Sequence, residues 1–314
     1  MNPDIKRLRD AISQVIIGKG HVIDLLVTAL LANGHCLIDD VPGMGKTKLA
    51  NALARSMGVR FKRIQFTPDL QPADITGIYY YNQKEGEFLF RGGPVFTNIL
   101  LADEINRAVP RTQASLLEAM EEYQVSVDGT ISMLEPPFMV IATQNPIELE
   151  GTFPLPEAQL DRFLLRVHMG YPSLDDEVSI MKRFKMKDPL EDVKPVLGKA
   201  DILKLRQEVK DVKVSDALLS YIGRLAAASR TNPQVQLGLS PRASLSLMRA
   251  SMAFAFIHGR DYVLPDDLQY LFPFVASHRI ILNYESDADE QSKSRVMEEI
   301  LTRVPVPVEE IGHG

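Results

Sequence analysis

HCLIDDVPGMGKTKLANALARSMG (residues 35–58) is the stretch that decides the fold. A short apolar run leads into a turn holding Pro42, Gly43 and Gly45-Lys46-Thr47, and a helical pattern starts directly after it. In that pattern Leu49, Leu53 and Met57 recur at four-residue steps, and Gly58 is placed to end the helix. Strand, glycine-rich turn, then helix is the setting of a phosphate-binding loop, G-x-x-x-x-G-K-[ST]. The first glycine is missing, because Asp40 stands in its place. Phosphate is gripped, however, by consecutive backbone N–H groups over residues 43–48 and by the helix N-terminus, and those survive. Pro42 and Gly43 supply a replacement turn, and the Asp40 charge has to point away from a nucleotide. The cradle is then Pro42, Gly43, Met44, Gly45, Lys46, Thr47 and Lys48, with Lys46 reaching the β- and γ-phosphates and Thr47 holding Mg²⁺. A chance G-x-G-K-[ST] arises in a chain of this size with a probability of about one in a hundred.

Outward from the loop, NILLADE (98–104) and PPFMVIAT (136–143) are apolar throughout rather than alternating, as strands buried on both faces of a parallel sheet are. PRTQASLLEAMEEY (110–123) is helical, with Leu116, Leu117 and Met120 on one face. Strands alternating with helices predict an α/β, αβα sandwich. At Gly170-Tyr171-Pro172-Ser173 the character changes, and the patterns beyond are nearly all helical, with Asp, Ser and Pro at several helix starts. The boundaries that follow are a nucleotide-binding α/β domain over residues 1–170 and a helical domain over 171–314, closed by a tail helix that prolines end.

The totals narrow the function classes. At 314 residues the chain is long enough for two domains. Its net charge of −6 argues against a protein that works by coating nucleic acid. The single cysteine, Cys36, excludes an internal disulfide and reads as a buried thiol in a reducing cytoplasm. The N-terminal MNPDIKRLRD has no apolar leader, and the run LLVTALLA is far short of the ~20 residues a membrane span needs. A soluble cytoplasmic protein is the expectation. The six histidines show no zinc-ligand spacing.

NILLADEINR ends its strand in two adjacent carboxylates. Asp103, at the strand's C-terminal end, is where a Walker-B Asp meets the Mg²⁺ sphere, and Glu104 is placed to polarise an attacking water. Together with the loop, these residues carry a resemblance. The chain resembles the AAA+ ATPases, and within them the MoxR family, over nearly its whole length. The similarity runs through VIIGKGHVIDLLVTALLANGHCLIDDVPGMGKT, RIQFTPDLQPADITG, FRGGPVFTNILLADEINRAVPRTQASLLEAMEE, ATQNP and GTFPLPEAQLDRF, and into LGLSPRASLSLMRA and GRDYVLPDDLQYL.

The resemblance implies a P-loop core with a parallel sheet followed by an all-helical lid, and ATP hydrolysis with Mg²⁺. It makes Asn145 the sensor-1 residue, Arg162 an arginine finger offered to a neighbouring subunit, and Arg242 the sensor-2 residue, acting in cis or in trans. Val15–Gly18, with Ile17 and Gly18, either lines adenine or is ordinary apolar packing. ITGIYYYNQKEGEFLFRGG and VSVDGTISM resemble pore-facing hairpins, so Tyr79, Tyr80 and Tyr81 either grip a client polypeptide or pack inward. A homo-oligomeric ring, a hexamer, is implied, as is a client protein, often one with a von Willebrand factor A domain, with no nucleic acid as partner. Rival readings are a motor subunit of a chelatase-like or nucleic-acid-remodelling complex, and a nucleotide-gated scaffold with little turnover.

Overall fold

The computed structural model describes residues 1–145, 151–283 and 290–307. The chain divides into two compact units, residues 3–207 and residues 208 onward together with Met1–Asn2.

The first unit opens with α1 (Pro3–Ser13) and α2 (Gly20–Leu31), followed by β1 (Cys36–Asp39), α3 (Lys46–Ser56) and β2 (Phe61–Gln65). Next come a short α4 (Pro72–Thr76), the hairpin strands β3 (Gly77–Asn82) and β4 (Glu87–Gly92), β5 (Ile99–Asp103) and α5 (Pro110–Glu122). A second hairpin, β6 (Gln124–Val127) and β7 (Thr130–Met133), precedes β8 (Met139–Gln144), α6 (Glu157–Leu160), β9 (Leu165–Val167) and α7 (Leu174–Phe184). The helix α8 (Lys199–Val209) runs across the division between the units.

Five strands form one parallel sheet in the order β2-β5-β8-β1-β9. Every residue of β1 is buried, as is nearly all of β5 and β8, which is why these segments read as unbroken apolar runs. β8 starts at Met139, after Pro136-Pro137, because proline has no N–H to give to a ladder. On α3, Leu49, Leu53 and Met57 are buried, and on α5 so are Leu116, Leu117 and Met120. Each such side chain contributes about 1.5–3 kcal/mol by leaving water.

His35 and Cys36 are both buried at the entry to β1. His35, just before β1, accepts the Val140 N–H at Nδ1 (3.0 Å), and its Nε2 faces the Met120 carbonyl at 3.0 Å, so the ring is neutral with its proton on Nε2. Burial holds its pKa down at about 4. Cys36 is fully buried, and burial pushes its thiol pKa up.

The sequence changes character near residue 171, yet the first compact unit continues to Gln207. The reason is packing on the sheet unit itself: Val196 N–H donates to the Ser56 carbonyl (2.8 Å), and the buried Arg206 donates through Nε to the Leu30 carbonyl (2.8 Å). The second unit holds α9 (Asp216–Thr231), β10 (Val235–Leu237), α10 (Pro241–Ile257), α11 (Pro265–Ala276), β11 (Ile281–Leu282) and α12 (Glu290–Arg303). It is helical apart from the small antiparallel β10–β11 ribbon. Ser215 and Ser240 cap α9 and α10, their hydroxyls accepting the Leu218 and Ala243 N–H groups. No helix among the described residues is long and apolar enough to cross a membrane.

Candidate nucleotide site

β1 ends at Asp39, and residues 40–45 turn the chain into α3. Gly43 (φ +87°) and Gly45 (φ +86°) adopt the left-handed conformation that glycine alone takes without cost, and a Cβ on either would meet nothing within 4 Å. The space in front of the loop is therefore open, and the N-terminus of α3, at Lys46, points its free N–H groups there. Lys46 is only 8% exposed, and its ammonium donates to the Asp40 carbonyl at 2.7 Å. Burial pulls its pKa down against the opposing pull of Asp103, Asp40, Asp39 and Glu104. Thr47 follows, half-buried, on the first turn of the helix.

The Asp40 side chain leaves this cradle. Its carboxylate accepts the backbone N–H groups of Met169 and, at 3.3 Å, Gly170. Asp39 is buried and paired with Arg166, while its carbonyl meets His168 Nδ1 at 2.6 Å.

Register brings the carboxylates together. Gln65 on β2 lies abreast of Asp103 on β5, and Ala102 lies abreast of Ala142, which sets Asp103 beside Thr143 at the C-terminal ends of the strands. The Thr143 hydroxyl donates to Asp103 Oδ1 at 2.6 Å and accepts the Glu104 N–H at 2.8 Å. Asp103 Oδ2 accepts from Arg63, through Nη2 at 2.6 Å and Nε at 3.1 Å. Glu104 sits at φ +54°, strained for a residue with a side chain, and its Oε2 takes Gln65 Nε2 at 2.6 Å and Arg107 Nε at 3.1 Å. The sequence alone assigns no role to Thr143, Gln65 or Arg63, because each is an ordinary polar residue near a strand end. Only the pairing register shows that they converge.

Beside the loop lies a largely apolar cavity of about 290 Å³, bounded by Val15, Ile16, Ile17, Lys19, Gly43, Met44, Gly45, Lys48, Met169, Pro172, Ile180 and Phe184. Gly18, by contrast, packs on Asp176, whose carboxylate a Cβ there would strike at 2.2 Å. Lys48 turns toward α7, with its ammonium 2.5 Å from Asp188 and over the Phe184 ring at 4.8 Å. The loop offers backbone N–H groups and a lysine, the carboxylates a negatively charged face, and the cavity an apolar slot beside them, which are the features a nucleoside triphosphate with a divalent cation would need.

Asn145 is buried directly after β8, one strand from Asp40; the turn expected at Asn145-Pro146 runs into residues outside those described. Arg162 sits just after α6, its Nε 2.9 Å from Glu121 Oε2 without the alignment of a hydrogen bond. Arg242 is exposed in the first turn of α10, in the second unit. Both hairpins form, the second with Asp128 (φ +48°) and Gly129 (φ +79°) at its turn. In the first hairpin Tyr79 is half-buried against Phe90, with ring centroids 5.2 Å apart, while Tyr80 and Tyr81 are 43% and 54% exposed.

The sequence model of the family described as "ATPase family associated with various cellular activities (AAA)" matches residues 35–165, and that of the AAA lid domain matches residues 227–300. The uncharacterized protein YeaC of Bacillus subtilis is 49% identical over 98% of this chain and 97% of its own length. Chaperone MoxR1 of Mycobacterium tuberculosis is 42% identical over 94% of this chain and 80% of its own, and protein MoxR of Methylorubrum extorquens is 32% identical over 88% and 87%. A crystal structure of a candidate ATPase from Cytophaga hutchinsonii superposes with a TM-score of 0.90 at 40% identity, covering 97% of this chain and 95% of the other. The chain is thus an ATP-binding ATPase of P-loop architecture, and it belongs to the MoxR family of AAA+ ATPases.

Proposed function

We propose that this chain hydrolyses ATP with Mg²⁺ in the cytoplasm, as a homo-oligomeric ring, and uses the cycle to remodel a partner protein. The observation that carries the catalytic part is the Thr143 hydroxyl, which holds the Asp103 carboxylate and the Glu104 N–H at once, beside the loop that parks Lys46. Lys46 leaves the Asp40 carbonyl for the β- and γ-phosphates, and the N–H groups of Gly43–Lys48 take the phosphate oxygens. Thr47 and Asp103 are the residues to hold Mg²⁺, which when bound neutralises charge on the phosphates. Glu104, released from Gln65, accepts a proton from the attacking water, which Asn145 orients. Arg162 of a neighbouring copy stabilises the transferring charge, and Arg242 contributes from the lid. Val15, Ile16 and Ile17 pack on the base.

A chaperone-like role is supported by the relative named Chaperone MoxR1. The exposed apolar residues of the hairpins, Tyr80, Tyr81, Phe88, Ile131 and Met133, offer a polypeptide a greasy grip, the last three at 68%, 59% and 68% exposure. A client with a von Willebrand factor A domain is the most specific form of this reading. Capture with Glu104→Gln tests it. That protein should bind ATP, stop turning it over and retain a client through washing. A Glu104→Gln protein with normal turnover, or one that retains no protein, contradicts the reading.

A further inference from the structure

β1 and β9 run in parallel, and their register, Cys36↔Leu165 to Ile38↔Val167, sets Asp40 beside Met169 once both strands have ended. There the ladder would stop, leaving open N–H groups. Asp40 takes them instead, its carboxylate accepting from Met169 and Gly170. Gly170 has φ +63°, so the chain turns sharply at that point. One residue on, the Tyr171 carbonyl accepts from Lys19 Nζ at 2.8 Å. Residues 169–172 are thus a strap, moored at one end to the first residue of the phosphate loop. The other end is moored to the segment that supplies Val15, Ile16 and Ile17. Met169 and Pro172 on this strap form part of the cavity wall.

We propose that Asp40 is a positioning residue for the nucleotide. Its carboxylate holds the strap against the phosphate loop and so fixes the base cavity relative to the phosphate cradle. This role rests on loop and cavity together being the nucleotide site. A glycine at position 40, as in the strict loop pattern, would serve the turn equally well but would leave the strap unmoored. The aspartate that breaks the loop pattern thereby matches the spacing between one ligand's phosphates and its base.

The test compares two ligands on the full-length protein by calorimetry with Mg²⁺ present: ATP, which spans cradle and cavity, and inorganic tripolyphosphate, which fills the cradle alone. In Asp40→Gly the ratio of ATP affinity to tripolyphosphate affinity falls about tenfold, the scale of one lost charge-assisted hydrogen bond. In Asp40→Asn, which keeps an acceptor oxygen, it falls about threefold. An unchanged ratio in the folded variants, including equal weakening of both ligands, overturns the proposal. If the glycine variant does not fold, the asparagine variant decides alone. A wild-type protein that binds neither ligand overturns the nucleotide-site reading itself, an outcome distinct from loss of the ratio effect.

Discussion

Replacing Thr143 with valine removes one hydroxyl and little else, since the two side chains have nearly the same shape. Thr143 is fully buried, and that hydroxyl makes two contacts, 2.6 Å to Asp103 Oδ1 and 2.8 Å to the Glu104 N–H. The first involves a carboxylate and is worth about 1.5–3 kcal/mol; the second is a neutral bond worth about 0.5–1.5 kcal/mol. The loss is therefore about 2–4.5 kcal/mol, and part of it falls on Glu104, already strained at φ +54°. At about 2–4 °C per kcal/mol for a unit of this size, the melting temperature should drop by about 4–18 °C. Without its anchor the Asp103–Glu104 pair loses orientation, and turnover should fall about 10–100-fold, as when outer-sphere partners of a metal ligand are removed. ATP affinity should change by less than about threefold, because the phosphate loop is untouched. Thr143→Ser, which keeps the hydroxyl, should restore most of the turnover. Melting curves and steady-state ATPase assays on the three proteins decide it. A valine protein that melts and turns over like wild type would refute the idea that this hydroxyl organises the carboxylates.

Arg162 acts on a neighbour's nucleotide in this account, so ATPase activity per chain should rise steeply with protein concentration, and Arg162→Ala should lower the plateau about 10³-fold while leaving ATP binding intact. Full-rate hydrolysis by dilute monomers would give Arg162 another role. His35 is held neutral in the fold, its pKa near 4 against 6.5 when free. The unfolded chain therefore binds the extra proton between those values. His35 contributes stability in full above pH 6.5, and it is lost as pH falls toward 4, by about 3 kcal/mol in all. Urea titrations at stepped pH should show a shallower acid slope for His35→Gln, and equal slopes would contradict this.

The phosphate loop, the buried strands and the amphipathic helices were legible because each carries its signal locally. Leu49, Leu53 and Met57 announce a buried helical face, and the DG pair at 128–129 announces a hairpin. β2 was not legible: FKRIQ is an edge strand with only Ile64 buried, so it shows no apolar run. Its polar residues, Arg63 and Gln65, became meaningful only beside Asp103 and Glu104, about 40 positions away. The same holds for Asp40. Nothing near it in the chain hints at Met169 and Gly170, which parallel pairing of β1 with β9 brings alongside. Long-range register is information the sequence holds only through the whole fold.

Calorimetric titration of the purified protein with ATP and Mg²⁺ tests the central claim, that the loop after β1 cradles a triphosphate despite Asp40. The account predicts saturable heat at one site per chain, abolished in Lys46→Ala. No heat from the wild-type protein, or a Lys46→Ala protein that binds as well, would contradict it.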